Sequence, residues 1–429
     1  MTAAPILAIA VFLIAFGLIV SERVSKVTVV LAAAAAMAVL GLIPGTGVFY
    51  DEHAGIDWNV VFLLFGMMVV VGVVKQTGLF DYLGIQAAKM SRGRPYRLMV
   101  LLMVITGIAS PLIDNVTVVM LIAPVTIVVA RRLGISPIPY LIAEILAANI
   151  GGASTLIGDP PNIIIGTRAG LTFVDFLVHM APIVGIVFVG FVLLTRLMFR
   201  REFEYHPERA AEVMALDARA AIVDARLLVR SLVVLGLMIG GFFLHAFVHI
   251  EPAIVAMLGA GAMLLVARGV ATEAFREVEW RTLVFFMGLF VMVAGLVHTG
   301  VIGAIGHWAA DAVGDDWFLA ASSVLWGSAV FGALFDNIPY VATMAPIVET
   351  VVAGAPPEIG QAVWWAFALG ADFSGNGTAI AASANVVTIG IAARAGYRIS
   401  FWRFTKYGIV TVVLTTAAAW LYIWLRYFL

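Results

Sequence analysis

Residues 110–126 read SPLIDNVTVVMLIAPVT, and residues 332–348 read GALFDNIPYVATMAPIV. Each stretch places an Asp-Asn pair inside a long apolar run, with the carboxylates at Asp114 and Asp336. A charged side chain surrounded by hydrocarbon is costly unless it faces a polar cavity, and such residues usually mark a functional site. Two acids at matching positions therefore predict a functional cavity.

The two stretches belong to an internal duplication. A displacement of 222 positions relates the Asp-Asn pairs and also pairs Trp58 with Trp280. A second block, ANIGGASTLIGDPPNIIIG at 148–166, matches GADFSGNGTAIAASANVVTIG at 370–390 at a displacement of 223. The chain therefore consists of two related halves.

The composition is that of a polytopic membrane protein. The chain is 63% hydrophobic and 12% charged, with a mean hydropathy of +1.07, whereas soluble domains are about half apolar and a quarter charged. The net charge of −1 gives no sign of nucleic-acid binding, and the absence of cysteine excludes disulfides and thiolate metal sites. No GxxxxGK[ST] loop is present, so any ATP-driven step would need an associated ATPase subunit. We expect no cofactor, no bound metal and no catalytic residues.

The apolar runs predict about ten spanning helices, because one crossing takes about 20 apolar residues. They lie near 5–20, 26–43, 58–77, 138–168 and 177–198 in the first half, and near 230–248, 252–268, 280–299, 361–393 and 406–426 in the second. The runs at 138–168 and 361–393 are interrupted by polar and helix-breaking residues.

Two further segments, 97–131 and 318–353, carry the Asp-Asn pairs. Each is about 35 residues long, which is too long for one crossing and short for two. Each also has a polar centre, and irregular backbone inside a membrane is tolerated only where it lines protein or a water-filled cavity. We therefore predict two re-entrant hairpins.

Five crossings per half predict that the second half, 230–429, lies inverted in the membrane relative to the first, 1–198. Basic residues should mark the cytoplasmic side, and acidic loops the opposite side. The basic set includes Arg23, Lys26, Lys75, Lys89, Arg92, Arg94, Arg131, Arg268 and Arg394, and the acidic set includes Glu251, Asp311, Asp315 and Asp316. This places both termini outside in a multi-pass protein of the inner (plasma) membrane.

The polar stretch 199–229 joins the halves. Its alternating charges and its Ala-rich end predict a cytoplasmic linker with a surface amphipathic helix, and partner docking is the alternative. Tryptophans near the ends of crossings predict interfacial anchors. They are Trp58, Trp280, Trp364, Trp365 and Trp402.

Inverted repeats with interrupted helices are typical of secondary transporters, whose substrate site lies near the bilayer midplane where the interruptions meet. Glycines and prolines break the backbone at 151–162, and SGNGT does the same at 374–378. The candidate substrate-binding residues are Asn115, Thr117, Asn149, Ser154, Thr155, Asn162, Asn337, Asn376, Thr378 and Asn385. Packing between helices is the alternative role for Asn149, Asn162 and Asn385.

Five acids inside these segments are candidates for proton or ion coupling: Asp114, Asp336, Asp372, Asp159 and Glu144. Capping of a helix is the alternative for the two hairpin acids and for Asp159, which precedes Pro160 and Pro161. Structural pairing is the alternative for Glu144. Asp372 stands where the first half has Asn149, so only one half carries an acid at that position.

The strings DNVTVVMLIAPVT, NIGGASTLIGDPPNIIIG, DNIPYVATMAP and LGADFSGNGTAIAASANVV carry a family resemblance. They resemble the branch of the ion transporter superfamily that contains ArsB-type arsenite/antimonite permeases, NhaD-type sodium/proton antiporters and the melanosomal P protein. The resemblance covers nearly the whole chain. It implies an all-α, elevator-type transporter in which each of two inverted repeats carries a re-entrant hairpin, as in the related divalent anion/sodium symporters.

The hairpin tips depart from those symporters, which carry Ser-Asn-Thr there. The acids Asp114 and Asp336 would repel a di- or tricarboxylate. The resemblance therefore implies proton-coupled efflux of arsenite or antimonite. The neutral trihydroxide would be held by hydroxyl and amide groups, because no thiolate is available.

Two alternatives remain open from the sequence. A sodium/proton antiporter would use the same acids and unwound carbonyls as a cage for Na⁺, and a channel or receptor-like protein would perform no active exchange. Acids at both tips favour alternating access over the channel. A homodimer is expected only from the resemblance to the symporters.

Overall fold

The computed structural model describes residues 3–21, 23–45, 49, 55–203, 207–248 and 250–429, and within these ranges the chain is helical and contains no strand. Residues 204–206 of the predicted linker lie outside the described part. The helices of at least seven residues are Ala3–Ser21, Lys26–Val39, Trp58–Gln76, Leu79–Ser91, Pro95–Ala109, Asn115–Leu133, Ile138–Gly152, Pro160–Ala169, Phe173–His179, Ala181–Met198, Pro207–Met214, Ala225–Val248, Pro252–Val266, Ala271–Glu277, Trp280–His298, Val301–Val313, Trp317–Leu334, Asn337–Val352, Pro357–Ser374, Ser383–Arg394 and Phe401–Tyr427. The predicted all-α class is confirmed.

Nine of the described helices are long and apolar enough to cross a membrane, or ten if the bent pair Pro160–Ala169 and Phe173–His179 forms one span. The helices found at two predicted spans are shorter than predicted, because 26–43 contains the helix Lys26–Val39 and 252–268 contains Pro252–Val266. Of these nine helices, six lie at predicted spans and three belong to the predicted hairpin segments.

Both predicted hairpin segments divide into two helices at the Asp-Asn pair. Ser328 and Tyr340, which lie on opposite sides of Asp336, share a hydrogen bond of 3.0 Å between their hydroxyl oxygens. One continuous helix would separate these residues by about 18 Å along its axis, so the chain must turn back at Asp336.

The first hairpin segment contains the stretches Pro95–Leu112 and Asn115–Leu133, of 18 and 19 residues, and each is long enough to cross a membrane. The sequence argument that the segment is short for two crossings was therefore wrong. Re-entry from one side of the bilayer stays a prediction.

The interrupted runs form two broken helices. The first consists of Ile138–Gly152 and Pro160–Ala169, and the second of Pro357–Ser374 and Ser383–Arg394. Beyond the first, the chain turns by 109° into the helix Phe173–His179. Close approach of glycine backbones shapes the first break, since a Cβ added to Gly152 would lie 2.6 Å from the carbonyl oxygen of Gly158.

The helices pack chiefly within two groups. The hairpins and broken helices, together with 79–91, 181–198, 301–313 and 401–427, form what we call the hairpin group. The scaffold group comprises 3–21, 26–39, 58–76, 225–248, 252–266, 271–277 and 280–298.

Within the scaffold the two halves pack reciprocally. Helix 58–76 of the first half packs on 252–266 of the second, and helix 280–298 packs on 26–39. Gly66 and Gly288 permit the close approach in the respective pairs. The reciprocity supports the predicted inverted repeats, which stay a prediction.

The predicted linker is docked on the first half. The ammonium group of Lys89 donates to the carbonyl oxygen of Leu216 at 2.7 Å, and the amide of Val223 donates to the carbonyl oxygen of Thr77 at 3.0 Å. The short helix Pro207–Met214 buries Val213.

The structure contradicts the prediction of interfacial tryptophans for two of the five residues, and for the other three it stays a prediction. Trp58, Trp280 and Trp402 are exposed. Trp364 and Trp365 are buried, and Trp365 stacks on His179. The prediction was therefore wrong for Trp364 and Trp365.

Candidate functional site

Each hairpin tip is fastened to the break of its own half by matching hydrogen bonds. The amide of Asn115 donates to the carbonyl oxygen of Gly158 at 3.1 Å, and the amide of Asn337 donates to that of Ala381 at 3.0 Å. A backbone donor at each tip thus pairs with a backbone acceptor that the break has released.

A threonine in each break completes this fastening. The Thr155 hydroxyl donates to the carbonyl oxygen of Pro111 at 2.6 Å, and the Thr378 hydroxyl donates to that of Ala333 at 2.7 Å. These two predicted substrate ligands therefore already bond to the hairpin backbone. Ser154 also bonds locally, because its hydroxyl donates to the carbonyl oxygen of Gly151.

The two breaks meet through Asn149. Its Nδ2 approaches Oδ1 of Asn376 and Oδ1 of Asn385, each at 3.1 Å, and the carbonyl oxygen of Gly375 at 3.3 Å. All four residues are fully or almost fully buried. A first-half amide thus bonds to the second-half break, as expected for interruptions that meet inside the protein.

A second asparagine in each half holds its own break closed. Asn162 Nδ2 donates to the carbonyl oxygen of Thr155 at 3.0 Å, and Asn385 Nδ2 donates to that of Thr378 at 2.8 Å. Asn385 also donates to the carbonyl oxygen of Gly375 at 2.7 Å. These amides bond to backbone oxygens that the interrupted helices leave without a partner.

Asp159 begins the helix Pro160–Ala169 but makes no side-chain cap hydrogen bond. Instead, its Oδ2 accepts a hydrogen bond from Nδ2 of Asn115 at 2.9 Å, and the side chain is 1% exposed. Asn115 Nδ2 also donates to Oδ1 of Asn149, so Asp159 joins the network that connects the halves. Of the two roles that the sequence left open, this contact favours membership of the site.

Asp372 lies in the last turn of the helix Pro357–Ser374, next to the second break, as Asp159 lies at the end of the first break. Asp372 is fully buried, and neither of its carboxylate oxygens meets the distance and angle of a hydrogen bond to a described residue, although the side chain of Asn162 lies close enough to stabilise its charge. A buried carboxylate without a counter-charge is strongly unfavourable, and a proton or a cation at this position would remove that cost.

The two acids at the hairpin tips both cap helices. Asp114 accepts hydrogen bonds of 2.7 Å from both the amide and the hydroxyl of Thr117. Asp336 accepts from the amide of Ile338 at 3.2 Å and from the ammonium group of Lys26 at 2.7 Å. The capping alternative is therefore observed, and it accounts for Thr117 as well.

Glu144 lies apart from this centre. Its Oε1 accepts a hydrogen bond of 2.6 Å from the hydroxyl of Thr126, which joins the helix Ile138–Gly152 to the hairpin helix Asn115–Leu133. Its Oε2 has no partner in the described part of the chain. The observed partner is a neutral hydroxyl rather than a cation, so the role of Glu144 stays a prediction.

The structure gathers most of the predicted residues into one buried centre: Asn115, Asn149, Asp159, Asn162, Asn337, Asp372, Asn376 and Asn385. The sequence missed Lys26, which it treated as a basic residue of a cytoplasmic loop. In the described ranges no group of His, Cys, Asp and Glu residues is arranged to hold a metal ion.

A bundle of apolar helices around a buried polar centre, built from two broken helices and two hairpins, is the architecture of a membrane transporter. A family profile described as "CitMHS: Citrate transporter" matches residues 16–370, and the chain belongs to this family of the ion transporter superfamily.

The chain is similar to several proteins along nearly its whole length. An uncharacterised transporter of Mycobacterium tuberculosis is 49% identical over 425 residues, which cover 99% of each chain. The 46 kDa membrane protein of Mycobacterium leprae is 47% identical over 423 residues, or 98% of this chain and 99% of that one. The human P protein is 33% identical over 489 residues, or 95% of this chain and 58% of the P protein. The expected kinship with the P protein is confirmed, while the ArsB-type resemblance stays an expectation.

Two solved structures share the fold. The YdaH transporter of Alcanivorax borkumensis, described as having an unusual topology, superposes with a TM-score of 0.60 at 16% identity and covers 98% of both chains. The MtrF structure of Neisseria gonorrhoeae, described as illuminating a class of antimetabolite efflux pumps, has a TM-score of 0.60 at 13% identity and covers 94% of both.

Proposed function

We propose that the chain is a proton-coupled secondary transporter that exports arsenite and antimonite as their neutral trihydroxides across the plasma membrane. The observation that carries the proposal is the burial of two acids at the two breaks, Asp159 and Asp372, with no hydrogen bond of standard geometry to the Asp372 carboxylate in the described structure. A carboxylate in such a place binds and releases a proton as the site changes its access to water.

The charges of the centre disfavour a free anion as substrate. Among the described contacts, no lysine or arginine donates a hydrogen bond to Asp159 or Asp372. Citrate, which the family description names, would bring further negative charge to these acids unless a cation accompanied it. A neutral or cationic solute meets no such repulsion.

The amides of the centre supply hydrogen-bonding groups for a trihydroxide. Oδ1 of Asn115 is a buried acceptor without a partner, and Nδ2 of Asn337 and Nδ2 of Asn376 are buried donors without one among the described residues. A trihydroxide offers both donors and acceptors, so it can satisfy both kinds of group.

Sodium/proton antiport is the second candidate, and the acid pair itself favours it. The carboxylate oxygens of Asp372 and Asp159, with Oδ1 of Asn115, are oxygen ligands of the kind that a hard cation binds. Protons and Na⁺ would then compete for one site.

The two packing groups support an alternating-access cycle in which the hairpin group moves against the scaffold. A homodimer would hold the scaffold still, and we keep it as part of the proposal. An associated ATPase subunit would add ATP-driven transport, and efflux that persists without ATP in purified vesicles would make it unnecessary.

Transport by purified protein in proteoliposomes tests the proposal. An imposed proton gradient should drive uphill movement of arsenite and antimonite, and movement of the solute should in turn dissipate the gradient. Parallel vesicles with Na⁺ alone and with citrate, with and without Mg²⁺, test the other solutes. Sodium-driven proton movement without arsenite flux would establish the antiporter, and solute flux that only follows its own gradient would indicate a channel.

A further inference from the structure

The two hairpin tips satisfy their aspartates in different ways. At the first tip, the amide and the hydroxyl of Thr117 both donate to Asp114. The duplication places Pro339 at the position of Thr117, and proline has neither an amide hydrogen nor a hydroxyl. The second tip therefore lacks both of the donors that stabilise the first.

Lys26 replaces them from a distant part of the chain. Its Nζ lies 2.7 Å from Oδ2 of Asp336, although the two residues are 310 positions apart. The side chain of Asp336 is 2% exposed and that of Lys26 is 29% exposed, so the acid is buried and the lysine reaches it from the edge. A charge-assisted hydrogen bond of this kind is stronger than a neutral one.

The ion pair also joins the two packing groups. Lys26 is the first residue of the helix Lys26–Val39, which packs on scaffold helices 3–21 and 280–298. Asp336 lies at the tip of the second hairpin. The equivalent scaffold helix of the second half, Pro252–Val266, has the same pattern of buried residues and begins with Pro252 where the first half has Lys26, so Asp114 has no corresponding lysine.

We propose that Lys26 is a fixed internal cation for the second hairpin tip. It neutralises Asp336, so that this tip needs no transported cation or proton, and it fastens the tip to the scaffold in the present conformation. Under the proposed function, on which this inference partly rests, coupling is then left to Asp114 and to the pair of Asp159 and Asp372.

A set of variants that remove charges tests whether Lys26 neutralises Asp336. Lys26→Gln leaves Asp336 buried without its cation, so transport should fall by at least about tenfold and should gain a dependence on Na⁺ or on acid that the wild type lacks. Lys26→Gln/Asp336→Asn removes both charges and should restore most of the rate without that dependence. Lys75→Gln, which breaks the ion pair with Glu277 inside the scaffold, is the matched control and should transport like the wild type.

If Lys26→Gln transports like the wild type, or if the double variant transports no better than Lys26→Gln, then Lys26 is not the counter-ion of Asp336. The melting temperatures of the same purified variants test the ion pair without any substrate. Lys26→Gln should lower it, and the double variant should recover part of the loss. The result of this stability comparison is therefore independent of the arsenite assay.

Cross-linking tests the fastening, and the absence of cysteine gives a clean background. In Lys26→Cys/Asp336→Cys, a short bifunctional thiol reagent should join the two positions and stop transport. In Lys75→Cys/Glu277→Cys the same reagent should join two scaffold helices and leave transport intact. No cross-link between positions 26 and 336, or full transport after it forms, would contradict the inference.

Discussion

Asp372 and Asn149 occupy equivalent positions in the two halves and have opposite chemistry. Asn149 is a donor that bonds to the second-half break, whereas Asp372 is an acid with no hydrogen bond of standard geometry in the described residues. Both are fully buried. The duplication has thus produced one residue that joins the halves and one that, under the proposed function, exchanges a proton or a cation.

Asp372→Asn should uncouple transport from the proton gradient. Because a neutral amide cannot take up a proton here, uphill transport should fall by at least about tenfold, while thermal stability should hold or rise with the unpaired acid gone. The measurement is gradient-driven flux in proteoliposomes beside the melting temperature. Asp311→Asn, at an exposed acid, is the control. Unchanged coupling in Asp372→Asn would remove this residue from the mechanism.

Asn385→Ala should cost more stability than Asn162→Ala, although the two positions are equivalent. Asn385 donates to two backbone oxygens and accepts from Asn149, whereas Asn162 donates to one backbone oxygen. Each buried group left without a partner costs about 1–3 kcal/mol. In detergent, the melting temperature of Asn385→Ala should therefore lie clearly below that of Asn162→Ala. Equal decreases in melting temperature would show that the contact between the breaks contributes little to stability.

The amides and acids of the centre could be predicted, because a polar residue stands out in an apolar run. Lys26 could not, because it lies at the edge of a polar loop, where a lysine is ordinary. Its partner is 310 positions away, and no local pattern reports such a contact. The only sequence signal was Pro339, which shows that Asp336 needs a donor from elsewhere.

At the scale of helices, close backbone approach holds the first hairpin to the first broken helix. A Cβ on Gly151 would lie 2.3 Å from the carbonyl oxygen of Gly107, which belongs to the neighbouring helix Pro95–Ala109. Small residues that bring helix backbones together are a common means of association inside membranes.

Gly151→Ala should therefore force these helices apart and lower the melting temperature and the yield of folded protein. Gly240→Ala is the matched control, because a Cβ there would meet nothing within 4 Å. Alanine in a helix interior is favoured over glycine by roughly 0.5–1 kcal/mol, so the control should be neutral or slightly stabilising. A Gly151→Ala protein as stable as the control would mean that the contact tolerates separation.

The helices were predictable to the extent that apolar length decides them. The breaks were found because glycine and proline mark them, and the hairpins because of their polar centres. The lengths of Lys26–Val39 and Pro252–Val266 were overestimated, since an apolar run continues beyond the last helical turn. Trp364 and Trp365 were misplaced because tryptophan suits both an interface and a core. Trp365 packs on Phe176 and His179, and Trp364 packs on Phe367, so both lie in the core.

At the scale of the molecule, the two halves are interleaved rather than side by side. Scaffold helices of each half pack on those of the other, and Asn149 connects the two breaks. Such an arrangement gives a transporter one site where two similar halves meet. It serves alternating access only if the halves face opposite sides of the membrane, so that the site can open to either side by related motions.

Single-cysteine labelling tests that orientation. Arg94 and Asp316 are equivalent positions of the duplication, and each precedes the first helix of a hairpin. The charge asymmetry predicts that Arg94 is cytoplasmic and Asp316 external. Because Asp316 caps its helix by accepting from the amide of Leu319, the exposed neighbour Asp315 is the better position for a cysteine.

In intact cells, a membrane-impermeant maleimide should label Asp315→Cys and leave Arg94→Cys unlabelled, and in everted vesicles the pattern should reverse. Inverted halves require opposite results at these matching positions, whereas parallel halves give the same result at both. Labelling from one side at both positions would therefore contradict the inverted repeats. It would also remove the physical reason for placing one shared site between the two breaks, because two halves that open to the same side cannot move a solute across the membrane.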